Sequence, residues 1–308
     1  MTKTTQPTPT LRKAWLDAMR PRTLPLALSC IALGTFLATA DHAYSWPITT
    51  LCLLTAVFLQ ILSNLANDYG DSIHGADHVQ REGPQRAVQS GQISAATMKR
   101  AMILFAGLSG VSGLLLLWLA FGAEGLLGLL IFVLLGGAAI WAAVNYTAGS
   151  KPYGYAGWGD LFVLIFFGWV GVLGPYVLMA QQFNWTLLLP ATSCGLLAVA
   201  VLNVNNIRDI ESDRQAGKFS IPVRLGPERA RLYHWLLLGT AVFLATFYVL
   251  LTFTSYWAFL YIITVPLLVR NGTAVQNTHS PLALNPLLKQ MVLSALAFNL
   301  LLGLSLIL

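Results

Sequence analysis

Half of the 12 acidic residues fall in two short stretches that share a pattern. The first reads Asn64-Leu-Ala-Asn67-Asp68-Tyr-Gly-Asp71 and continues to Asp77. The second reads Asn203-Val-Asn205-Asn206-Ile-Arg208-Asp209-Ile-Glu211-Ser-Asp213. On a helix, Asn64, Asn67, Asp68 and Asp71 occupy positions i, i+3, i+4 and i+7, and Asn205, Asp209 and Asp213 occupy i, i+4 and i+8, so each set shares one face. Each face then offers two or three hard oxygen ligands. Such oxygens suit Mg²⁺, which is usually held by one or two carboxylates plus the phosphates of a substrate. Asp68, Asp71, Asp77, Asp209 and Asp213 are the expected metal ligands, and two such clusters facing one another describe a diphosphate site.

Either cluster alone would serve equally well as a solvated collar at the end of an apolar helix, because a D-x-x-D or D-x-x-x-D spacing is a weak signal. The repetition of the asparagine prefix argues for a site. Cations sit nearby, as a diphosphate needs: Arg86, Arg208, Arg214 and Lys218 in the two stretches, and Lys151 after Tyr146. Arg86 lies in Gly83-Pro84-Gln-Arg86-Ala-Val-Gln-Ser-Gly91, a turn-rich segment able to close over a ligand. Asp160, just after Gly159, reads as a helix-capping or dipole carboxylate rather than a ligand. None of the five histidines stands in a convincing ligand set, and Cys30, Cys52 and Cys194 lie inside apolar runs without C-x-x-C spacing, so they read as small core residues.

The elements that position these residues must be membrane helices. Of the 308 residues, 56% are hydrophobic and 10% charged, and the mean hydropathy is +0.67. A soluble domain carries roughly 25% charged residues. Nine apolar stretches, each near the length needed to span a bilayer, follow a polar N-terminus: 24–40, 46–66, 101–121, 125–146, 158–179, 185–205, 233–251, 256–269 and 291–308. The segment Trp15 to Arg20 is expected to lie as an amphipathic helix on the membrane surface. Threading nine passes from a cytoplasmic N-terminus puts all 18 Lys and Arg on the cytoplasmic side, as the positive-inside rule requires. The expected fold is an all-α membrane protein of about nine transmembrane helices, a single domain over 1–308. Its cytoplasmic parts are the N-terminal segment 1–22 and two long polar loops, 68–100 and 208–231. Asn67 and Asn206 are separated by four helices and about 139 residues, the footprint of an internal repeat contributing one cluster from each half.

Asn67-Asp68-Tyr-Gly-Asp71 with Asp77, Tyr146 with Lys151, and Asp209-Ile-Glu-Ser-Asp213-Arg214-x-x-Gly217-Lys218 resemble the UbiA superfamily of intramembrane aromatic prenyltransferases, over nearly the whole chain. Gly83-Pro84-x-Arg86, Pro152-Tyr-Gly-Tyr155, Gly159-Asp160-Leu with Phe166-Phe-Gly-Trp169, and Asn203-Val-Asn-Asn-Ile-Arg-Asp209 are similar to the branch that prenylates 1,4-dihydroxy-2-naphthoate on the way to menaquinone. In the superfamily's first motif the third carboxylate often stands four residues after the second. Here that position is Gly75, and the next carboxylate is Asp77.

The resemblance implies transfer of a polyprenyl group from polyprenyl diphosphate to the naphthoate, with loss of CO₂ and diphosphate, in a bacterial inner membrane with the site on the cytoplasmic side. It implies Mg²⁺ between the two clusters and catalytic roles for Asp68, Asp71, Asp209, Asp213, Arg86 and Lys151. Substrate contacts would come from Asn64, Asn67, Tyr146, Arg22, Asn205, Asn206 and Lys218. Arg22 or Lys151 would meet the acceptor carboxylate, and Trp141, Tyr146 or Phe166 could face an allylic cation. A 4-hydroxybenzoate prenyltransferase would share both clusters. A transporter is the rival of another class, but transport sites usually lie near the midplane, whereas these clusters stand at helix ends.

Overall fold

The computed structural model describes residues 10–74, 86–122, 125–252 and 255–308. Among them the ordered elements are all helices: α1 (Leu11–Met19), α2 (Leu24–Ala40), α3 (Trp46–Ile73), α4 (Ala95–Phe121), α5 (Leu126–Asn145), α6 (Gly159–Ala180), α7 (Trp185–Arg208), α8 (Ile210–Gln215), α9 (Ile221–Leu225), α10 (Pro227–Leu251), α11 (Tyr256–Asn277) and α12 (Leu284–Ser305). Nine of these, α2 to α7 and α10 to α12, are long and apolar enough to cross a membrane. The chain is an integral membrane protein.

Prolines stand in the first turn of α2, α3, α9 and α10, where their missing N–H costs nothing. Ser94 begins α4 by accepting a hydrogen bond from the Thr97 N–H. The spanning helices outrun their apolar stretches at the polar end. Thus α3 continues to Ile73, α4 begins at Ala95, α10 at Pro227 and α12 at Leu284, while α11 runs on to Asn277 and so contains Arg270. The two polar stretches expected as loops are therefore partly helical, α8 and α9 filling much of the second. Asp77, Glu124 and the Gly83-Pro84 turn lie outside the described residues.

Successive neighbours α2, α3, α4 and α5 form one wall of the bundle. The helices α6, α7, α10, α11 and α12 form the rest, and α12 returns to pack on α2. The largest apolar core lies among α2, α6, α7, α10 and α12, around Leu33, Tyr176, Leu197, Met291 and Phe298. At Gly34 a Cβ would stand 2.1 Å from the Val172 carbonyl oxygen, so only glycine lets α2 lie this close to α6. Between α5 and α6 the packing is sparse; on α5 only Ala142 is buried. The middle of α6, Leu164–Leu173, is π-helical. Such segments are rare in general.

The helix α1 does not merely rest on a surface. Ala14 and Ala18 are buried against Leu62, Leu65 and Met98, which docks α1 on α3 and α4. A left-handed Arg20 (φ 50) then turns the chain into α2.

Candidate active site

At the polar end of α3, Asn64, Asp68 and Asp71 are buried and Asn67 is half-buried. Each polar group on this face is engaged. The Asp68 carboxylate accepts hydrogen bonds from the backbone N–H groups of Ala87 and Val88, at 3.1 and 3.0 Å. It thereby anchors the turn that follows Arg86. Asp71 pairs with Arg86 at 2.5 Å and accepts the Tyr155 hydroxyl at 3.0 Å. The Arg86 guanidinium also donates to the Asn67 carbonyl, while Asn67 Oδ1 accepts from Thr147 Oγ1 at 3.0 Å. The Asn64 amide donates to the Met19 carbonyl and the Thr23 hydroxyl, tying α3 to the α1–α2 junction.

The second cluster straddles a break. α7 ends at Arg208, and Asp209 leaves helical geometry (φ −98, ψ 9) before α8 begins, which corrects the expectation of one continuous helix. The i to i+4 backbone bonds Asp209 to Asn205 and Asp213 to Asp209 survive across the break, so the three residues still follow one another by single turns. The Arg208 guanidinium holds both oxygens of Asp209 at 2.7 Å and also donates to Asn205 Oδ1 and Asn285 Oδ1. The buried Lys218 ammonium lies 3.2–3.3 Å from Asp213.

Tyr155 joins the clusters. Its hydroxyl is on Asp71, and its ring centroid lies 6.0 Å from Lys218 Nζ. Burial pushes the Asp213 carboxyl up to about 6, opposed by Lys218 and reinforced by Asp209 and Asp71. Burial would lower Lys218, yet Asp213, Asp71 and Asp209 together hold its ammonium above the ordinary range. Burial likewise raises Tyr146 to about 12.

A cavity of about 1100 Å³ opens beside both clusters. Asn64, Asn67, Asp68, Asp71, Arg86, Asn205, Arg208 and Lys218 line its polar end, with Tyr146 and Arg22. Asp209 and Asp213 do not themselves line it, but their ion-pair partners Arg208 and Lys218 do. The cavity continues between apolar walls, including Leu116, Leu117, Phe132, Gly136, Ile140 and Leu178. Along α6 its wall is Phe162, Phe166, Val170, Gly174 and Leu178, with Val163, Phe167 and Gly171 in the adjacent row. Tyr153 stacks on Phe162 at 4.0 Å, and Tyr146 meets Tyr153 edge-on at 5.4 Å.

Not every expected residue joins this arrangement. Lys151 is exposed and does not line the cavity; the buried ammonium at the site belongs to Lys218. Asn206 is fully buried away from the cavity, and its Oδ1 has no hydrogen-bond partner among the described residues. Trp141 is exposed and lies off the cavity against Tyr153 and Phe162; the aromatic residues lining the cavity are Tyr146, Tyr153, Phe162 and Phe166, with Phe132 and Phe167. Asp160 does not cap α6. It is buried in the first turn and accepts the Tyr233 hydroxyl at 3.0 Å, linking α6 to α10. Tyr155, Asn285 and Lys289 were not foreseen, although Tyr155 stands inside a motif string.

As a donor set, four buried carboxylates around three cations leave an excess of hard, anionic oxygen, which fits a divalent cation such as Mg²⁺. Among the described residues no group of three or more His, Cys, Asp or Glu is close enough to form a ready-made metal cage. Mg²⁺ commonly relies on substrate phosphates for the remaining ligands.

The model of the UbiA prenyltransferase family matches residues 27–285. A 1,4-dihydroxy-2-naphthoate octaprenyltransferase of Escherichia coli is 48% identical over 290 residues, covering 94% of this chain and 93% of that protein. The protein of the same name in Mycobacterium tuberculosis is 37% identical over 286 residues, covering 93% and 94%. Among solved structures, a UbiA homolog from Archaeoglobus fulgidus bound to GPP and Mg²⁺ superposes with a TM-score of 0.64 at 18% identity, over 96% of this chain and 99% of that one. The apo UbiA homolog from Aeropyrum pernix gives 0.67 at 17%, over 92% and 96%.

Proposed function

Because the chain belongs to the UbiA prenyltransferase family, we propose that its cavity transfers a polyprenyl group from polyprenyl diphosphate to 1,4-dihydroxy-2-naphthoate. CO₂ and diphosphate leave, and the hydroquinone demethylmenaquinol, the reduced form of demethylmenaquinone, is the product. The observation that carries this reading is a single cavity whose polar end meets two carboxylate clusters and whose other end is a long apolar channel within the membrane. A diphosphate head and an isoprenoid tail need those two environments side by side. The naphthoate is favoured over 4-hydroxybenzoate by the 48% and 37% identities to naphthoate enzymes.

Asp68, Asp71, Asp209 and Asp213 would hold Mg²⁺, with Asp77 outside the described residues as a further candidate. The metal supplies charge to the diphosphate as the allylic carbon to oxygen bond breaks. Arg86, Arg208 and Lys218 are held by these carboxylates at the cavity wall, where they can donate to the oxygens of a leaving diphosphate. Tyr155 keeps Asp71 and Lys218 in fixed relation. The rings of Tyr146, Tyr153, Phe162 and Phe166 offer π faces where positive charge develops on the allyl group, and the apolar walls exclude water from it. The gathering of Lys and Arg at this end supports the reading that it faces the cytoplasm, and the bacterial relatives support the reading of a bacterial inner membrane.

The test is purified protein in detergent or lipid, supplied with Mg²⁺, polyprenyl diphosphate and carboxyl-labelled dihydroxynaphthoate. Labelled CO₂ should be released only when all three are present. Prenylation of 4-hydroxybenzoate with its carboxylate retained, and no turnover of the naphthoate, would move the acceptor to the ubiquinone branch.

A further inference from the structure

Most charges lining the cavity are matched within the protein. Arg86 pairs with Asp71, Arg208 with Asp209 and Lys218 with Asp213, while Asp68 takes two backbone N–H groups. Four further charged residues line the same cavity, Asp17, Arg20, Arg22 and Lys289; of these, Arg22 and Lys289 are exposed cations with no ion-pair partner among the described residues. They come from opposite ends of the chain: Arg22 from the short turn before α2, Lys289 from the first turns of α12.

The placement of Lys289 is specific. On α12 the cavity-lining residues are Asn285, Pro286, Leu288, Lys289 and Val292, which follow the i, i+1, i+3, i+4, i+7 pattern of one helix face. Asn285 accepts from Arg208 and so belongs to the second cluster. Val292 belongs to the apolar core. Lys289 lies between them, one turn or about 6 Å of helix rise beyond Asn285. Its wall therefore carries a positive charge at the boundary where diphosphate chemistry ends and apolar channel begins.

The cations of the two clusters already provide for a diphosphate. The other anion of the reaction proposed above is the carboxylate of the aromatic acid, and it sits on the carbon that receives the prenyl group. We propose that Lys289, together with Arg22, binds the acceptor carboxylate and so fixes the reacting carbon beside the allylic end of the donor. The assignment rests on the reading of the substrate as an aromatic acid. It replaces Lys151, which lies outside the cavity. Two cations on separate elements suit a carboxylate, which can accept from both at once.

The full-length protein, purified with Mg²⁺ and polyprenyl diphosphate, provides the test. Lys289→Gln should raise the KM for dihydroxynaphthoate at least tenfold, leave the KM for polyprenyl diphosphate within twofold, and be largely rescued in Lys289→Arg. Equilibrium binding of the acceptor, measured without donor, should weaken for dihydroxynaphthoate. Binding of 1,4-dihydroxynaphthalene, which lacks the carboxylate, should not change. An unchanged acceptor KM, a rise in donor KM instead, or equal loss of affinity for the carboxylate-free analogue would overturn the assignment. If the wild type consumed 4-hydroxybenzoate and not the naphthoate, the substrate reading would fail separately, and the same KM split measured on that acid would decide for or against Lys289. Turnover of neither acid by the wild type overturns both.

Discussion

The Tyr155 hydroxyl donates to Asp71 Oδ1 across 3.0 Å, so a residue of the turn after α5 holds a carboxylate at the end of α3. The same ring lies against Lys218, the partner of Asp213. One side chain thus sets the spacing of two clusters that come from separate halves of the chain. A hydrogen bond to a charged group is worth about 1.5–3 kcal/mol. Tyr155→Phe is therefore expected to lower kcat/KM for the diphosphate by roughly 10- to 100-fold, together with a modest fall in the melting temperature in detergent. Wild-type kinetics in this variant would show that the bridge has no part in catalysis.

The carboxylates themselves should be far less tolerant. Asp71→Asn and Asp213→Asn should each reduce turnover by several orders of magnitude, since transition-state charge stabilisation at such sites is worth several kcal/mol. Arg86→Ala should be comparably severe, and Asp160→Asn, at the α6–α10 contact, milder. Activity assays with a Mg²⁺ titration check this, and near-normal turnover after neutralising either cluster would sink the two-cluster site.

Two lysines separate the geometry from the motif. Lys151→Ala should leave turnover within about twofold, because the side chain is exposed and off the cavity. Lys218→Ala removes the ammonium that faces the cavity beside Asp213 and should cost at least 100-fold, about 2.7 kcal/mol. The reverse order of effects would restore Lys151 to the site.

At Gly70 a Cβ would meet the Thr147 carbonyl carbon at 2.4 Å. Gly70→Ala must push the turn after α5 away from α3, one residue from Asp71. It is expected to cost about 1–3 kcal/mol of stability, read as a lower melting temperature in detergent, and to impair activity along with it.

Single cysteines in a background lacking Cys30, Cys52 and Cys194 test the orientation. Those at Asp41 or Gln181 should react with an impermeant thiol reagent from the outer face, and one at Ser90 should not. Labelling of Ser90 from outside would invert the topology.

Much of this was legible because the membrane enforces it. Nine apolar stretches separated by charged or short polar segments leave few alternatives to nine helices, and the paired Asn/Asp strings carried their one-face geometry in their spacing. What the strings did not carry is which charge ends at the cavity. Lys151 and Lys218 both stand near motif residues, but only the fold of α8 turns Lys218 inward against Asp213. Lys289 escaped notice for a related reason. Positive-inside bookkeeping accounts for any basic residue on that side, so nothing in its sequence neighbourhood marked it. Long-range packing of α12 on α2 and α7 is what sets it at the cavity wall.

The π-helical stretch in α6 has a geometric effect on the whole channel. Among the lining residues of α6, Phe162, Phe166, Val170, Gly174 and Leu178 recur every fourth residue, and Val163, Phe167 and Gly171 form a parallel row beside them. In an uninterrupted α-helix, each step of four overshoots a full turn by roughly 40°, so over these four steps the row would swing about 160° around the axis. Wider winding over Leu164–Leu173, at ~4.4 residues per turn for i to i+5 bonding, turns the row back by nearly the amount the flanking α segments advance it. These five positions therefore form a straight rail, aromatic at Phe162 and Phe166 and aliphatic or bare beyond them. Along it an extended isoprenoid can lie without following a helical path.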